Sequence, residues 1–162
     1  MRNHPRLKSV ILSAVLSVFW VAGCAPEKKD EAKVEPAAAP KVVHITGNDQ
    51  MQYSVTAFEV QSGEPVTLVL ENAGSMPKEA MGHNFVLLQT GSSVPDFAQK
   101  TMTAKENDYI PAEAPEILAK TRLLGPGESD TLTFTAPPAG SYPYLCTFPG
   151  HFGVMQGVMT SK

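Results

Sequence analysis

The sequence predicts an all-β domain, a sandwich or barrel of about eight short strands with one helical excursion near residues 95–106. Three observations lead to this fold class. Aromatic and β-branched residues recur in short runs, turn signals separate those runs, and 14 Pro and 12 Gly supply many turn positions in a chain of 162 residues. A hydrophobic content of 43% is sufficient for a single core.

Eight segments have the composition of strands, and turn residues separate most of them. Residues 47–49 (Gly-Asn-Asp) and 125–127 (Gly-Pro-Gly) are the clearest turns. The predicted strands are residues 41–46, 51–60, 65–72 and 83–90, two strands within 121–137, and residues 141–146 and 154–162.

The helical excursion is predicted at residues 95–106, because Phe97, Thr101 and Ala104 fall near helical spacing. Residues 107–109 (Asn-Asp-Tyr) would end this helix. The next segment, 110–115, contains two Pro and is predicted to be a loop.

The first 23 residues are predicted to be a lipoprotein signal peptide rather than part of the fold. Three basic residues precede an apolar run at 9–21 that is too short to span a membrane. The sequence Val-Ala-Gly-Cys at 21–24 resembles the bacterial lipobox, which implies cleavage before Cys24 and acylation of that cysteine, for example with palmitate. A plain secretory signal with a cysteine nearby is the alternative.

Residues 24–40 predict a flexible, solvated tether, because they combine low complexity with many charges and three Pro. The folded domain is expected at residues 41–162. The protein should therefore be exported and anchored by lipid to a membrane, facing the periplasm or the cell surface. Ala25 replaces the Asp linked to inner-membrane retention in some bacteria, which favours the outer membrane of a Gram-negative bacterium.

Charge excludes one class of partner. Without the leader the chain has ten basic and 16 acidic residues, a net charge of −6. Nucleic-acid binding needs a basic patch, and this composition offers none.

Metal-ligand residue types cluster near the C-terminus, with the spacing Cys146-x4-His151-x3-Met155. Acylation of Cys24 would leave Cys146 as the single thiol of an exported protein, so an intrachain disulfide could not form. A bare thiol is vulnerable in an oxidising compartment, whereas burial and copper coordination would protect it.

Two of the four His fit this cluster. His4 lies in the leader and His44 in the first strand without a sulfur neighbour, which leaves His83 and His151. Two imidazoles, a thiolate and a thioether are the ligand set of blue-copper electron-transfer sites, with Met as the weak axial ligand. Taken alone, each of these residues could be an ordinary core or turn residue. Zinc could also bind two imidazoles and a thiolate, but it prefers a fourth strong ligand to a thioether. The joint pattern favours one copper ion.

The chain resembles the azurins, within the cupredoxins, and with the lipobox it resembles the lipid-modified type. The resemblance covers residues 41–162, and the spacing between Cys146 and His151 is the azurin one. It implies a Greek-key sandwich and electron transfer through one Cu(I)/Cu(II) ion. The segments that carry it are GNDQMQY (47–53), MPKEAMGHNFVL (76–87), TRLLGPGESDTLTF (121–134) and YLCTFPGHFGVMQG (144–157).

The resemblance also implies the role of each ligand. His83, Cys146 and His151 would be the equatorial ligands. Met155 would be one axial neighbour, and the carbonyl oxygen of Gly82 the opposite one.

Two backbone amides would tune the cysteine sulfur, by the same resemblance. The N–H groups of Asn84 and Phe148 would donate to it, and the Asn84 side chain would tie the two ligand loops together. Pro149 has no N–H to add. Fewer donors leave more electron density on the sulfur, which stabilises Cu(II) and lowers the reduction potential.

Three departures from azurins stand out. Lys41 and the region of Gly63 occupy the positions of the usual disulfide, whose loss is worth about 2–4 kcal/mol. Phe85 replaces a buried Trp. Asn72 replaces a His that responds to pH in some azurins, so a pH switch is not expected there.

The turn that carries His151 is predicted to be exposed, with the ring edge as the electron port. Apolar residues near it are expected to form a docking patch around that edge, although partial core packing is the alternative for each. The patch comprises Met51, Met76, Met81, Pro149 and Phe152, together with Ala80 and Phe148. By resemblance the partners are c-type cytochromes and copper or haem reductases, and the protein is expected to be a monomer.

The sequence supports other functions less well than electron transfer. Copper enzymes such as nitrite reductases need an additional His-rich centre, and only three His follow the leader, so an enzyme is not expected. A periplasmic or surface copper-binding and delivery lipoprotein is the main alternative. A lipoprotein for contact with other cells is a further one.

Overall fold

The computed structural model of the chain describes residues 39–162. The predicted signal peptide, Cys24 and the tether up to residue 38 lie outside the described residues. Among residues 39–162, no helix has the length and apolarity needed to cross a membrane.

Strands dominate the described residues, and two helices and a 3-10 turn interrupt them. The bounds of β3 match the predicted strand at 65–72. In chain order the elements are β1 (Lys41–Gly47), β2 (Ala57–Val60), β3 (Pro65–Asn72), α1 (Lys78–Met81), β4 (Val86–Leu88), α2 (Val94–Thr101), the 3-10 turn (Lys105–Asn107), β5 (Ile117–Lys120), β6 (Ser129–Thr135), β7 (Gly140–Leu145) and β8 (Gln156–Ser161).

The eight strands form two sheets, one with the order β1-β3-β6 and one with the order β2-β8-β7-β4-β5. β1 runs parallel to β3 and β2 runs parallel to β8, whereas the other neighbours are antiparallel. Neighbours that are distant in sequence require the crossover connections of a Greek key. The two sheets confirm the all-β sandwich and decide against a barrel.

One hydrophobic cluster joins the two sheets. Leu68 and Leu70 from the small sheet and Leu87 and Tyr144 from the large sheet belong to it, and all four are fully buried. Along β3 buried residues alternate with more exposed ones, as the period of a strand requires. Phe85, at the position where the resemblance expects Trp, packs on Tyr144 with ring centroids 4.9 Å apart.

The predicted strand at 51–60 is mostly wrong. Only its end, β2, is a strand. Met51 adopts a left-handed φ of 57°, which breaks the extended backbone. Tyr53 makes a single isolated bridge to Gly47. Within this irregular segment, the hydroxyl of Tyr53 donates to the carbonyl of Asn84, the residue that follows His83.

Two further strands are shifted. The predicted strand at 83–90 is reduced to β4, since His83 makes only an isolated bridge to Leu124. For the same reason residues 121–124 are not a strand, and the strand predicted there lies earlier, as β5.

The predicted helix at 95–106 is shorter than expected. α2 begins after Ser93, whose hydroxyl accepts a hydrogen bond from the N–H of Asp96. It ends at Thr101, and Asp108 and Tyr109 then take left-handed φ values of 53° and 59°. α2 packs on β4 and β7 in a second hydrophobic cluster. The short helix α1 was not predicted.

Candidate metal centre

The loop between β7 and β8 carries Cys146, His151 and Met155 and closes on itself. The N–H of Cys146 donates to the carbonyl of Met155 at 3.0 Å, and the N–H of Met155 donates to the carbonyl of His151 at 2.8 Å. Gly150 has a φ of 84°, in the left-handed region that suits glycine, and so lets the chain turn before His151. The closed loop fixes the three side chains relative to β7 and β8.

A second loop, between α1 and β4, carries His83. Its N–H and carbonyl both bind Leu124, at 3.1 and 2.7 Å. Its Nε2 lies 3.0 Å from the carbonyl oxygen of Asn48. Because a carbonyl oxygen only accepts, Nε2 must carry the hydrogen, which leaves a lone pair on Nδ1. That Nδ1 is buried and has no hydrogen-bond partner among the described residues.

The two loops bring three ligand atoms together in the interior. Those of His83, Cys146 and His151 all lie within 4.8 Å of one another. The Sγ of Cys146 is 3.6 Å from Nδ1 of His151 and 3.9 Å from the carbonyl oxygen of Gly82. His151 is 2% exposed and the side chains of His83, Cys146 and Met155 are fully buried.

This donor set fits a single copper ion. A buried imidazole nitrogen with a free lone pair and no donor is rare unless something else satisfies it. Two imidazoles and a soft thiolate suit copper, whereas the harder cations prefer oxygen ligands. Copper would be held by His83, Cys146 and His151, with Met155 and the Gly82 carbonyl as the remaining predicted ligands.

Burial raises the pKa of the Cys146 thiol to about 11, and the backbone N–H groups of Asn84 and Phe148 oppose that rise. These are the two amides that the resemblance implies as donors to the sulfur. Without a metal the thiol is therefore protonated at neutral pH. Formation of the thiolate requires a cation at the site.

Both imidazoles are held in the form that binds metals. Burial lowers the pKa of His151 to about 4, and the charge of His83 adds to this effect. Burial also lowers the pKa of His83, although the Asn48 carbonyl and the Asp49 carboxylate partly offset it. Neutral imidazoles present a lone pair, so neither ring must lose a proton before it coordinates.

Asn84 joins the two ligand loops. Its Oδ1 accepts from the N–H of Thr147 at 2.8 Å, and its Nδ2 donates to the Thr147 hydroxyl at 2.7 Å and to the carbonyl of Asp108 at 3.3 Å. The hydroxyl of Tyr53 donates to the Asn84 carbonyl. All of these groups except Asp108 are buried, so the bonds are sheltered from water.

Asn72 has a structural role at the position where a titrating His is known in some azurins. It is 1% exposed, and its side-chain amide donates to the carbonyl of Leu124 at 3.1 Å and accepts from the N–H of Gly74 at 2.9 Å. Asn72 thus supports the same residue, Leu124, that anchors His83.

The predicted docking residues differ in exposure. Met76 is 39% exposed, and Ala80 is also exposed. The residues that are half-buried are Met51, Met81, Pro149 and Phe152. Phe148 is buried and packs on His151 with ring centroids 4.6 Å apart. Phe148 is therefore a packing residue and not part of the exposed patch.

The predicted exposure of the His151 turn is wrong for the residue itself. Gly150 and Gly153 are exposed, but His151 is only 2% exposed, and its ring packs against those of Phe148 and His83. Val154, which lies on the same loop and is 59% exposed, was not among the predicted docking residues.

Sequence reasoning also missed the residues that hold the ligands in place. Asn48 and Leu124 bind His83, and Thr147 binds Asn84. Asn48 was predicted only as part of a turn and of a segment that carries the resemblance, without a role at the site. No spacing rule could pair it with a residue 35 positions later.

Three comparisons describe what this chain is similar to. A family model described as copper binding proteins, plastocyanin/azurin family, matches residues 40–162. An azurin of Pseudomonas aeruginosa is 36% identical over 129 residues, which are 77% of this chain and 87% of that protein. Dithionite-reduced auracyanin from Roseiflexus castenholzii superposes with a TM-score of 0.70 at 34% identity, covering 76% of this chain and 98% of the other. Auracyanin A from Chloroflexus aurantiacus, a "blue" copper protein, gives a TM-score of 0.70 at 30% identity, with 76% and 100% covered.

The lowered pKa of His151 predicts an acid-sensitive metal-free protein. In the unfolded chain the His151 ring binds a proton near pH 6.5, whereas in the folded protein it binds one only near pH 4. The contribution of the neutral ring to the free energy of unfolding is therefore complete above about pH 6.5 and is lost as the pH drops towards 4. We expect the free energy of unfolding of the metal-free protein to fall by roughly 2 kcal/mol more than in His151→Gln between pH 7 and pH 4.5, in urea titrations. An equal fall in wild type and His151→Gln would contradict this assignment.

Proposed function

This chain belongs to the plastocyanin/azurin family of copper-binding proteins, and from that premise we propose that it is a membrane-tethered electron carrier. The observation that carries the proposal is the buried cluster of His83, Cys146 and His151, with ligand atoms within 4.8 Å of one another. When bound there, copper supplies a one-electron Cu(I)/Cu(II) couple. The residues around it determine how well that couple serves electron transfer.

Hydrogen bonds of the backbone and of the His83 ring hold the ligand residues in place. Asn48 and Leu124 fix His83, and the closed loop fixes Cys146 and His151. Ligands that are fixed in advance change little when an electron arrives or leaves. Little rearrangement means a small energetic cost for each transfer, which suits a carrier.

Burial of the ligands separates a carrier from the alternatives. Their side chains are at most 2% exposed, which leaves a substrate little access to the site. Azurin-like cupredoxins are electron carriers rather than enzymes, in agreement with this closed arrangement. The same burial hinders rapid metal release, so copper delivery is less well supported.

We place electron entry at the surface nearest to His151, whose ring packs against Phe148. The surrounding apolar residues, called the docking rim below, are Met51, Met76, Met81, Pro149, Phe152 and Val154. Exposed apolar patches support association, and small ones suit brief redox encounters. Methionine adapts to differently shaped partners. The partners proposed are c-type cytochromes and copper or haem reductases, met by a monomer.

The membrane tether completes the proposal. Residues 1–23 would be removed as a lipoprotein signal peptide, Cys24 would be acylated, and residues 24–40 would connect the anchor to the domain at 41–162. The stretch from Ala25 to Pro40, fully extended, reaches roughly 50 Å at about 3.1 Å per residue, so the domain could turn towards different partners. The outer membrane, on its periplasmic or cell-surface side, is the proposed location.

Copper loading should produce an intense blue colour from charge transfer between the Cys146 thiolate and Cu(II). We expect Cys146→Ser to abolish the colour, because the thiolate is lost. Met155→Leu should keep the colour and raise the reduction potential, because Cu(II) loses a weak donor. Visible absorption and potentiometry measure both effects. A colourless Cu(II) complex of the unaltered protein, or a lowered potential in Met155→Leu, would contradict the proposed site.

A charge in the docking rim should slow electron exchange with a partner. In Val154→Glu, a carboxylate would be buried when the protein docks on its partner. The second-order rate constant for electron transfer from a reduced c-type cytochrome should therefore fall about tenfold, equivalent to about 1.4 kcal/mol. Val42→Glu is the matched control, since Val42 is 50% exposed but lies at the start of β1. Stopped-flow absorption measures both rates. Equal slowing in the two variants would show an effect of net charge and not of docking.

Acylation should depend on Cys24 alone. In cells fed labelled palmitate, Cys24→Ser should lose the label and leave the membrane fraction, because no other residue offers a lipobox cysteine. Cys146→Ser should remain labelled. Retention of Cys24→Ser in the outer membrane would overturn the tether while leaving the metal site untouched.

A further inference from the structure

Gly47, the last residue of β1, is a buried glycine whose backbone conformation other residues could also adopt. Its φ lies outside the left-handed region, unlike that of Gly150. Its carbonyl accepts from the N–H of Ala73 at 2.9 Å, as any residue could. The reason for glycine here must therefore be space.

The space belongs to two of the predicted ligands. A Cβ at Gly47 would lie 2.8 Å from Cε of Met155 and 2.9 Å from Cδ2 of His83, distances that real Cβ atoms essentially never show. The two side chains come from different loops and meet at the bare Cα of Gly47. The next residue, Asn48, holds the Nε2 of the same His83 ring.

The two neighbours differ in their freedom to move. His83 is held by Asn48 on its ring and by Leu124 on its backbone. Met155 contributes the end of an unbranched, flexible side chain, which can change rotamer. A methyl group at position 47 would therefore displace the methionine first and press on the imidazole second.

We propose that Gly47 is a positioning residue of the metal centre, which keeps Met155 packed against the edge of the His83 ring. Its consequence for copper rests on the function proposed above, but the packing itself belongs to the metal-free protein. Replacement of Gly47 by any larger residue should move the thioether away from its place beside the ligands.

The test compares Gly47→Ala with Gly153→Ala, a matched control in which an added Cβ has no atom within 4 Å and φ is ordinary. In the metal-free protein labelled with 13C-methyl methionine, the Met155 methyl resonance is identified by its loss in Met155→Leu. It should shift further in Gly47→Ala than in the control, although Gly153 lies on the ligand loop itself. In the Cu(II)-loaded protein, Gly47→Ala should also alter the visible and EPR spectra more than the control does. An unshifted Met155 resonance with unchanged spectra would overturn the proposal. If no blue complex forms even in wild type, the proposed function fails, whereas the methyl resonance still decides the packing.

A double variant covers the case in which Gly47→Ala does not fold. Met155→Ala vacates the space that the new methyl group needs. Adding Gly47→Ala to Met155→Ala should then lower the melting temperature of the metal-free protein less than adding it to wild type. An equal drop in both backgrounds, or a double variant that does not fold although Met155→Ala does, would refute the role of the methionine contact.

Discussion

The side chain of Asn84 joins the loop that carries His83 to the loop that carries Cys146, His151 and Met155, and the metal centre depends on that joint. The first loop is held by Leu124 and the second by its own closure, and the two loops adjoin β4 and β7, which are neighbours in the same sheet. The bonds between Asn84 and Thr147 extend the pairing of β4 with β7 into the two ligand loops. Because these bonds are buried, water cannot replace them, and a broken one would leave an unsatisfied polar group.

The cost of this arrangement falls on the metal-free protein. It buries a thiol, two imidazoles and an unpaired Nδ1 in the same small volume. Polar groups without partners destabilise a folded state, and the pKa shifts of Cys146 and His151 show how strongly burial disfavours their charged forms. The sandwich core and the second cluster under α2 offset that cost. A bound cation would satisfy the same groups, so metal binding should stabilise the fold as well as provide its function.

The metal ligands could be predicted from the sequence better than the residues that hold those ligands in place. Cys146, His151 and Met155 share one short loop, so their spacing is visible in the sequence, and His83 follows by elimination. The bounds of β3 were correct because its alternation is undisturbed, whereas the segment at 51–56 has strand-like composition but is interrupted by the left-handed backbone of Met51. The roles of Asn48, Thr147 and Gly47 at the site were not predicted, because their partners are distant in sequence. The near-complete burial of His151 was missed because a glycine-rich turn gives no sign that Phe148 folds over the ring.

The central claim is that the protein holds the ligands in place before any metal arrives. It is tested most directly by crystal structures of the metal-free and copper-loaded forms, with the positions of Nδ1 of His83, Sγ of Cys146 and Nδ1 of His151 compared after superposition of the sheets. We expect each atom to move by less than about 0.5 Å, the tolerance of a preorganised site. An imidazole that swings towards solvent when the metal is removed would contradict the claim.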